Sequence, residues 1–144
     1  MAEQPSAPGV PPGFADLLEA PGFAHLATVR EDGSPQTNVM WFAWDGELFR
    51  FTHTTQRRKF RNIRHEPRVA FSIADATDGY RYIQVRGRVV SVEPDSADAG
   101  FFRELMARYG RDNSGPVADA AVRVVIAVAP EHFVAVDDGH EVRG

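Results

Sequence analysis

The chain has 144 residues, 43% hydrophobic and 25% charged, with no cysteine and a net charge of −4. A chain of this length suits one domain that buries about two thirds of its unfolded surface, and the missing cysteines exclude disulfide scaffolds, thiol catalysis and thiolate metal sites. The acidic balance disfavours nucleic acid as a partner, because such domains carry a cationic surplus that displaces counterions from phosphates.

Residues 1–13 hold four prolines and two glycines with little apolar content, so a disordered tail is expected there. Phe14, Leu17 and Leu18 recur at helical spacing before Pro21-Gly22, which predicts a short helix. From Phe23 the period becomes two. Residues 25–29 and 36–44 read as strands around the turn at Asp32-Gly33-Ser34-Pro35, and Asp45-Gly46 leads into a third strand over 47–53. These three read as a meander of sequential antiparallel neighbours. Residues 56–65 break the alternation and stop before Pro67, as a short helix would.

Residues 69–74 and 80–92 give strands four and five, the latter with Ile83, Val85 and Val89 on one face and Tyr82, Gln84, Arg86 and Arg88 on the other. Residues 95–109 return to helix, with Phe101, Phe102, Leu105, Met106 and Tyr109 as a core stripe and Gly110 as the stop. The sixth strand is 121–128, with 133–136 as an extension after Pro130, and 138–144 is left as a C-terminal tail. No apolar run approaches the roughly 20 residues of a membrane span and no signal peptide is recognised, so a membrane is not expected and the cytoplasm is the default location.

The expected architecture is mainly β, a six-stranded antiparallel split β-barrel with short helices, since closure removes exposed strand edges. So small a core favours a homodimer, with a ligand at the subunit seam.

No dinucleotide fingerprint, phosphate-binding loop, nucleophile elbow or H-E-x-x-H motif occurs, and the five histidines lack metal-ligand spacing, so no metal is expected. The acids are scattered, and no catalytic side chain can be named; any redox chemistry would come from a cofactor. The positive signal is local. Residues 57–68 hold six of the sixteen cations and one of the twenty acids. The hydroxyls Thr52, Thr54 and Thr55 run into a helix start carrying Arg57, Arg58 and Lys59, where the helix dipole prefers anions. A bound phosphate resolves that conflict. Trp41 and Trp44, three apart, read as ordinary packing.

The chain resembles the FMN-binding split-barrel proteins related to pyridoxamine 5'-phosphate oxidase, and more closely the actinobacterial deazaflavin-dependent reductases of the B group. The blocks that carry the resemblance are Leu26-Ala27-Thr28, Asp32-Gly33-Ser34-Pro35-Gln36, Val39-Met40-Trp41-Phe42, residues 52–69 and residues 80–87. The likeness covers about residues 14–136 and implies a cofactor-binding domain over 14–137 whose cofactor lies at the interface of a homodimer. It further implies that the backbone of Asn38, Val39, Met40 and Trp41 serves the polar edge of the cofactor ring. Thr52, Thr54, Arg57, Lys59 and Asn62, with Arg58 beside them, would hold the phosphate end. Gln84 and Arg86 would approach the cofactor of the partner chain.

The cofactor so implied is coenzyme F-420, whose carboxylate-bearing tail suits the surplus cations, with FMN as the alternative. The implied activity is that of an oxidoreductase moving a hydride between the coenzyme and an electron-poor small organic substrate. An FMN-dependent enzyme and a non-catalytic cofactor carrier are the other readings.

Overall fold

The computed structural model describes residues 9–142, so the expectation of disorder falls mainly on residues outside the described part; Val10 packs against the core. Phe14, Leu17 and Leu18 are buried on and beside the short helix α1 (Ala15–Glu19), as their spacing predicts. Arg81 ties this segment to the body, donating to the Asp16 and Asp75 carboxylates and to the Gly13 carbonyl while lying over the Phe14 ring.

The strands are β1 (Ala24–Val29), β2 (Pro35–Met40), β3 (Ala43–Trp44), β4 (Phe49–Thr54), β5 (Arg68–Asp75), β6 (Asp78–Pro94), β7 (Arg123–Asp137) and β8 (His140–Val142). The closed six-stranded barrel expected from the sequence does not form. Among the described residues eight strands make one antiparallel sheet in the order β2-β1-β5-β6-β7-β4-β3, with β8 added on β7, and no ladder joins the end strands β2 and β3.

Two local features account for the difference. The run read as one strand over 36–44 breaks at Trp41-Phe42, where the Phe42 N–H donates to the Tyr109 hydroxyl at 3.0 Å and its carbonyl accepts from Arg108 Nε at 3.1 Å. Backbone groups held by side chains cannot join a ladder. The chain also turns back at Asp138-Gly139, both with positive φ, and His140–Val142 pairs with the end of β7. The meander is corrected as well: β4 pairs with β7, and its one ladder to the first half of the chain is with the two-residue β3. Met40 and Ala43, which bound the break, lie within about 11 Å along the chain, so the two ends of the sheet are held near each other without pairing.

β6 and β7 are long because each changes partners along its length. β7 crosses Pro130, which has no N–H to give, opposite Gly87, where the register shifts between Arg86 and Gly87. The core lies inside the curved sheet and is rich in aromatic rings, with Phe49 meeting Phe71 edge-on at 4.8 Å and tilted against Trp44 at 4.3 Å.

The two remaining α-helices among the described residues are α2 (Arg58–His65) and α3 (Gly100–Arg108). The sequence expectation starts α3 five residues early. The Asp95 carboxylate accepts the N–H groups of Phe101 and Phe102, and Ser96 Oγ accepts that of Gly100, so 95–99 caps the helix instead of extending it. Of the predicted stripe on this helix Leu105 is buried, whereas Phe101, Phe102, Met106 and Tyr109 are half-buried. No helix among the described residues is long and apolar enough to cross a membrane.

Candidate functional site

The ends of β2 and β4 and the start of α2 surround a cleft of about 380 Å³. Its walls carry Asn38, Val39, Met40, Trp41, Thr52, Thr54, Arg57 and Lys59, all singled out in the sequence, together with His53 and Arg123. Thr52 and Thr54 share one face of β4 because they are two apart. His53 shares the other with Phe49 and Phe51.

Lys59 is the unusual group. The buried face of α2 is Lys59, Asn62 and Ile63, spaced as one helical stripe, and Lys59 is 3% exposed. Its ammonium donates to the Met40 sulfur at 2.7 Å, a weak neutral acceptor. None of the ion pairs among the described residues includes Lys59 or Arg57. Burial, with Arg57 nearby, pushes the Lys59 ammonium down to about 8. A buried cation without a counter-ion is costly, and a bound anion relieves that cost.

Other features point to the same ligand charge. Arg57 occupies the N-cap position of α2, no side chain caps that end, and no acid lies in the first turn. His53 is 5% exposed, and its Nε2 is, among the described residues, the one buried side-chain nitrogen or oxygen without a hydrogen-bond partner. Burial and the cations Lys59, Arg57 and Arg123 push its imidazole down to about 3, so it is neutral at pH 7. Arg123 completes the cleft, donating from Nη1 to Thr52 Oγ1 at 3.3 Å and pairing through Nε and Nη2 with Asp119.

Not every predicted residue lies in this cleft. Asn62 is 2% exposed and its amide donates to Thr28 Oγ1 and Gln36 Oε1, both at 3.1 Å, so it locks α2 onto β1 and β2. Arg58 faces a separate recess of about 200 Å³ with Arg30 and Arg61. Gln84 and Arg86 are exposed on β6, and Arg86 lines a larger groove of about 640 Å³ with Pro35, Glu66 and His132. Trp41 stacks on Tyr109 at 4.8 Å, whereas Trp44 packs among core rings, so the packing reading holds for both and Trp41 also lines the cleft.

The sequence reading missed His53 and Arg123. Strand alternation turns His53 away from the two threonines that flank it, so the sequence carried no signal for it. Arg123 becomes visible once β4 is known to pair with β7, where Thr54 stands opposite it.

Residues 10–137 match the sequence profile of the family described as pyridoxamine 5'-phosphate oxidase. An F-420 reductase of known structure is 52% identical, with 86% of this chain and 98% of that chain covered and a TM-score of 0.82. The chain belongs to the pyridoxamine 5'-phosphate oxidase-like split-barrel family. The resemblance read in the sequence is thereby borne out, and with it the assignment to a family of oxidoreductases. A conserved hypothetical protein of Mycobacterium tuberculosis, Rv2991, is 21% identical over 100% of this chain and 98% of that one, with a TM-score of 0.69. General Stress Protein 26 of Bacillus anthracis is 20% identical over 91% and 95%, with a TM-score of 0.65. Both share the fold. Among curated proteins none matches the chain.

Among the described residues no group of three or more histidines and acids converges as a metal site.

Proposed function

We propose that the protein is a coenzyme F-420-dependent oxidoreductase acting on an electron-poor small organic substrate, with the phosphate end of the coenzyme held by Arg57, Lys59, Thr52 and Thr54. The observation that carries this reading is the buried, unpaired Lys59 beside Arg57, in a chain 52% identical to an F-420 reductase. The donor set fits a phosphate: two cations, two hydroxyls and an uncapped helix start, with no carboxylate on the cleft wall. When bound, the coenzyme supplies hydride chemistry, and the protein supplies position and exclusion of water. The backbone of residues 38–41 orients the ring, and Trp41, fixed by its stack on Tyr109, closes that end.

FMN is the second reading, since Arg57 and Lys59 alone satisfy one phosphate. The recess of Arg30, Arg58 and Arg61 on the neighbouring part of α2 favours the deazaflavin, because its tail carries carboxylates that FMN lacks. Glu31 and Asp32 also line that recess, and Asp32 is engaged with Ser34.

The working unit is a homodimer. Gln84 and Arg86 lie on an exposed face of β6, so a second copy of the chain is what brings a cofactor to them. Val39, 61% exposed on the end strand β2, and Tyr80, 71% exposed, supply apolar surface for that contact.

Titration with F-420 and with FMN, followed by tryptophan emission, tests the assignment. Saturable quenching with F-420 binding more tightly is expected, and Arg57→Ala with Lys59→Ala should weaken it at least fivefold. Equal, weak responses to both cofactors would sink it. Sedimentation equilibrium should give twice the chain mass.

A further inference from the structure

Lys59 is the one lysine of the chain; the other fifteen of its sixteen lysine and arginine positions hold arginine. A guanidinium keeps its proton throughout the physiological range, whereas a lysine that is desolvated beside another cation becomes a nucleophilic amine. Lys59 has those surroundings. It lies on the buried face of α2, the Met40 thioether is the acceptor it meets, and burial together with Arg57 brings its ammonium down to about 8. The chain's single side-chain amine therefore stands in the wall of a cleft whose other polar groups suit an anion.

We propose that Lys59 is a carbon dioxide site: its amine takes up CO2 to form a carbamate, which the cleft holds in place of a bound phosphate. The proposal goes beyond the function given above and rests on the cleft alone, whichever coenzyme occupies it.

In this step the lone pair of the Lys59 nitrogen adds to the carbon of CO2. An N–C bond forms, one C=O π pair moves onto oxygen, and the nitrogen gives one proton to solvent. The products are a carbamate anion and H+, with nothing oxidised or reduced. The usual obstacle is the new negative charge, and the cleft is built to meet it. Arg57, Arg123 and the hydroxyls of Thr52 and Thr54 line it, with no carboxylate among its walls. Arg123 has five N–H groups, of which two go to Asp119 and one to Thr52, which leaves two for the carbamate oxygens. The carbamate nitrogen keeps one N–H. Two acceptors in the cleft suit it, the Met40 sulfur that Lys59 meets already and the unpartnered Nε2 of the neutral His53.

The change of charge makes CO2 and phosphate exclusive. An ammonium that attracts a phosphate becomes an anion that repels one, and the same donors cannot serve both. Each ligand therefore weakens the other by the same factor.

Carbon-13 NMR of the coenzyme-free protein in labelled bicarbonate, which supplies CO2, should show a carbamate carbonyl signal beside that of the N-terminal amine. Trapping with triethyloxonium followed by peptide mass spectrometry should place it on Lys59. Saturating inorganic phosphate should erase that signal. Calorimetry should find phosphate bound at least threefold more weakly in bicarbonate than in chloride of equal ionic strength. Lys59→Arg keeps the cation without the amine, so the signal and the bicarbonate effect should both disappear. The erasure by phosphate is read on the parent protein and stands even where the variant does not fold.

A carbamate on the N-terminal amine alone, a Lys59 signal that phosphate leaves intact, or a bicarbonate effect undiminished in Lys59→Arg would each overturn the proposal. The last result would mean that bicarbonate binds as an ordinary anion. Failure to bind F-420 or FMN strikes the proposed function alone, since these measurements contain neither.

Discussion

The Tyr109 hydroxyl accepts the N–H of Phe42 at 3.0 Å and donates its own O–H to the carbonyl of Gly22. One side chain at the end of α3 thus holds open the break between β2 and β3, the point where the end strands of the sheet meet the candidate cleft. Arg108 supports it from the preceding position, binding the Phe42 carbonyl and the last carbonyls of α1 at Leu18, Glu19 and Ala20. Burial pushes the Tyr109 phenol up from its ordinary value, which keeps it a donor over the physiological range.

Tyr109→Phe keeps the ring stack on Trp41 and removes the hydroxyl. The Phe42 N–H and Gly22 carbonyl then lose their partner, at a cost of about 1–3 kcal/mol. Urea unfolding should report that loss, and cofactor affinity should fall with it, because residues 38–41 are no longer fixed. Unchanged stability would show that water replaces the hydroxyl.

Anion binding should depend on the Lys59 proton. The empty protein loses it as pH rises through about 8, so affinity for a phosphate ligand should decline above that pH. Lys59→Met should remove this decline and weaken binding. The unliganded variant should be no less stable than the parent, because a buried uncompensated charge has gone. Calorimetry with inorganic phosphate between pH 7 and 10 measures both effects.

His53 gives the opposite dependence, and on folding instead of binding. Its folded value, about 3, lies below the ordinary 6.5, so as pH falls the unfolded chain takes the proton first. Stability is therefore expected to fall from about pH 6.5 downward, toward 3. His53→Leu should flatten that slope, as judged by urea midpoints at pH 7 and pH 5. A parallel slope in parent and variant would place the effect elsewhere.

Gly87 stands where β6 passes Pro130. A methyl group there would come within 2.5 Å of the Ala129 carbonyl oxygen and 3.0 Å of Val128. The contact is to backbone, which cannot turn aside, so Gly87→Ala should cost about 1–3 kcal/mol. A thermal melt is the direct check.

The candidate anion site was legible because its signal is local. Arg57 and Lys59 follow Thr52 and Thr54 within a few residues, and charges at a helix start where the dipole disfavours them read plainly in one dimension. Asn62 was legible as important but not in its role, since its partners Thr28 and Gln36 lie 34 and 26 residues away. The break at Trp41-Phe42 was hidden for the same reason: the residues that hold it, Arg108 and Tyr109, are 66 and 67 residues distant. A run of apolar residues with strand propensity carries no mark of a side chain that will capture its backbone later. Arg123 was invisible until the β4–β7 pairing set it beside Thr52.

That pairing has a consequence for how the protein is born. β4 and β3 attach to the rest of the sheet through β7 alone, and β7 is the last long element of the chain. Until β7 has been synthesised, the strand that carries Thr52 and Thr54 has only the two-residue β3 to pair with. Folding of the cleft must therefore await the emergence of β7, through contacts of high sequence separation, which are the slow kind. A chain truncated before residue 123 would keep every predicted phosphate ligand and have no site to hold them.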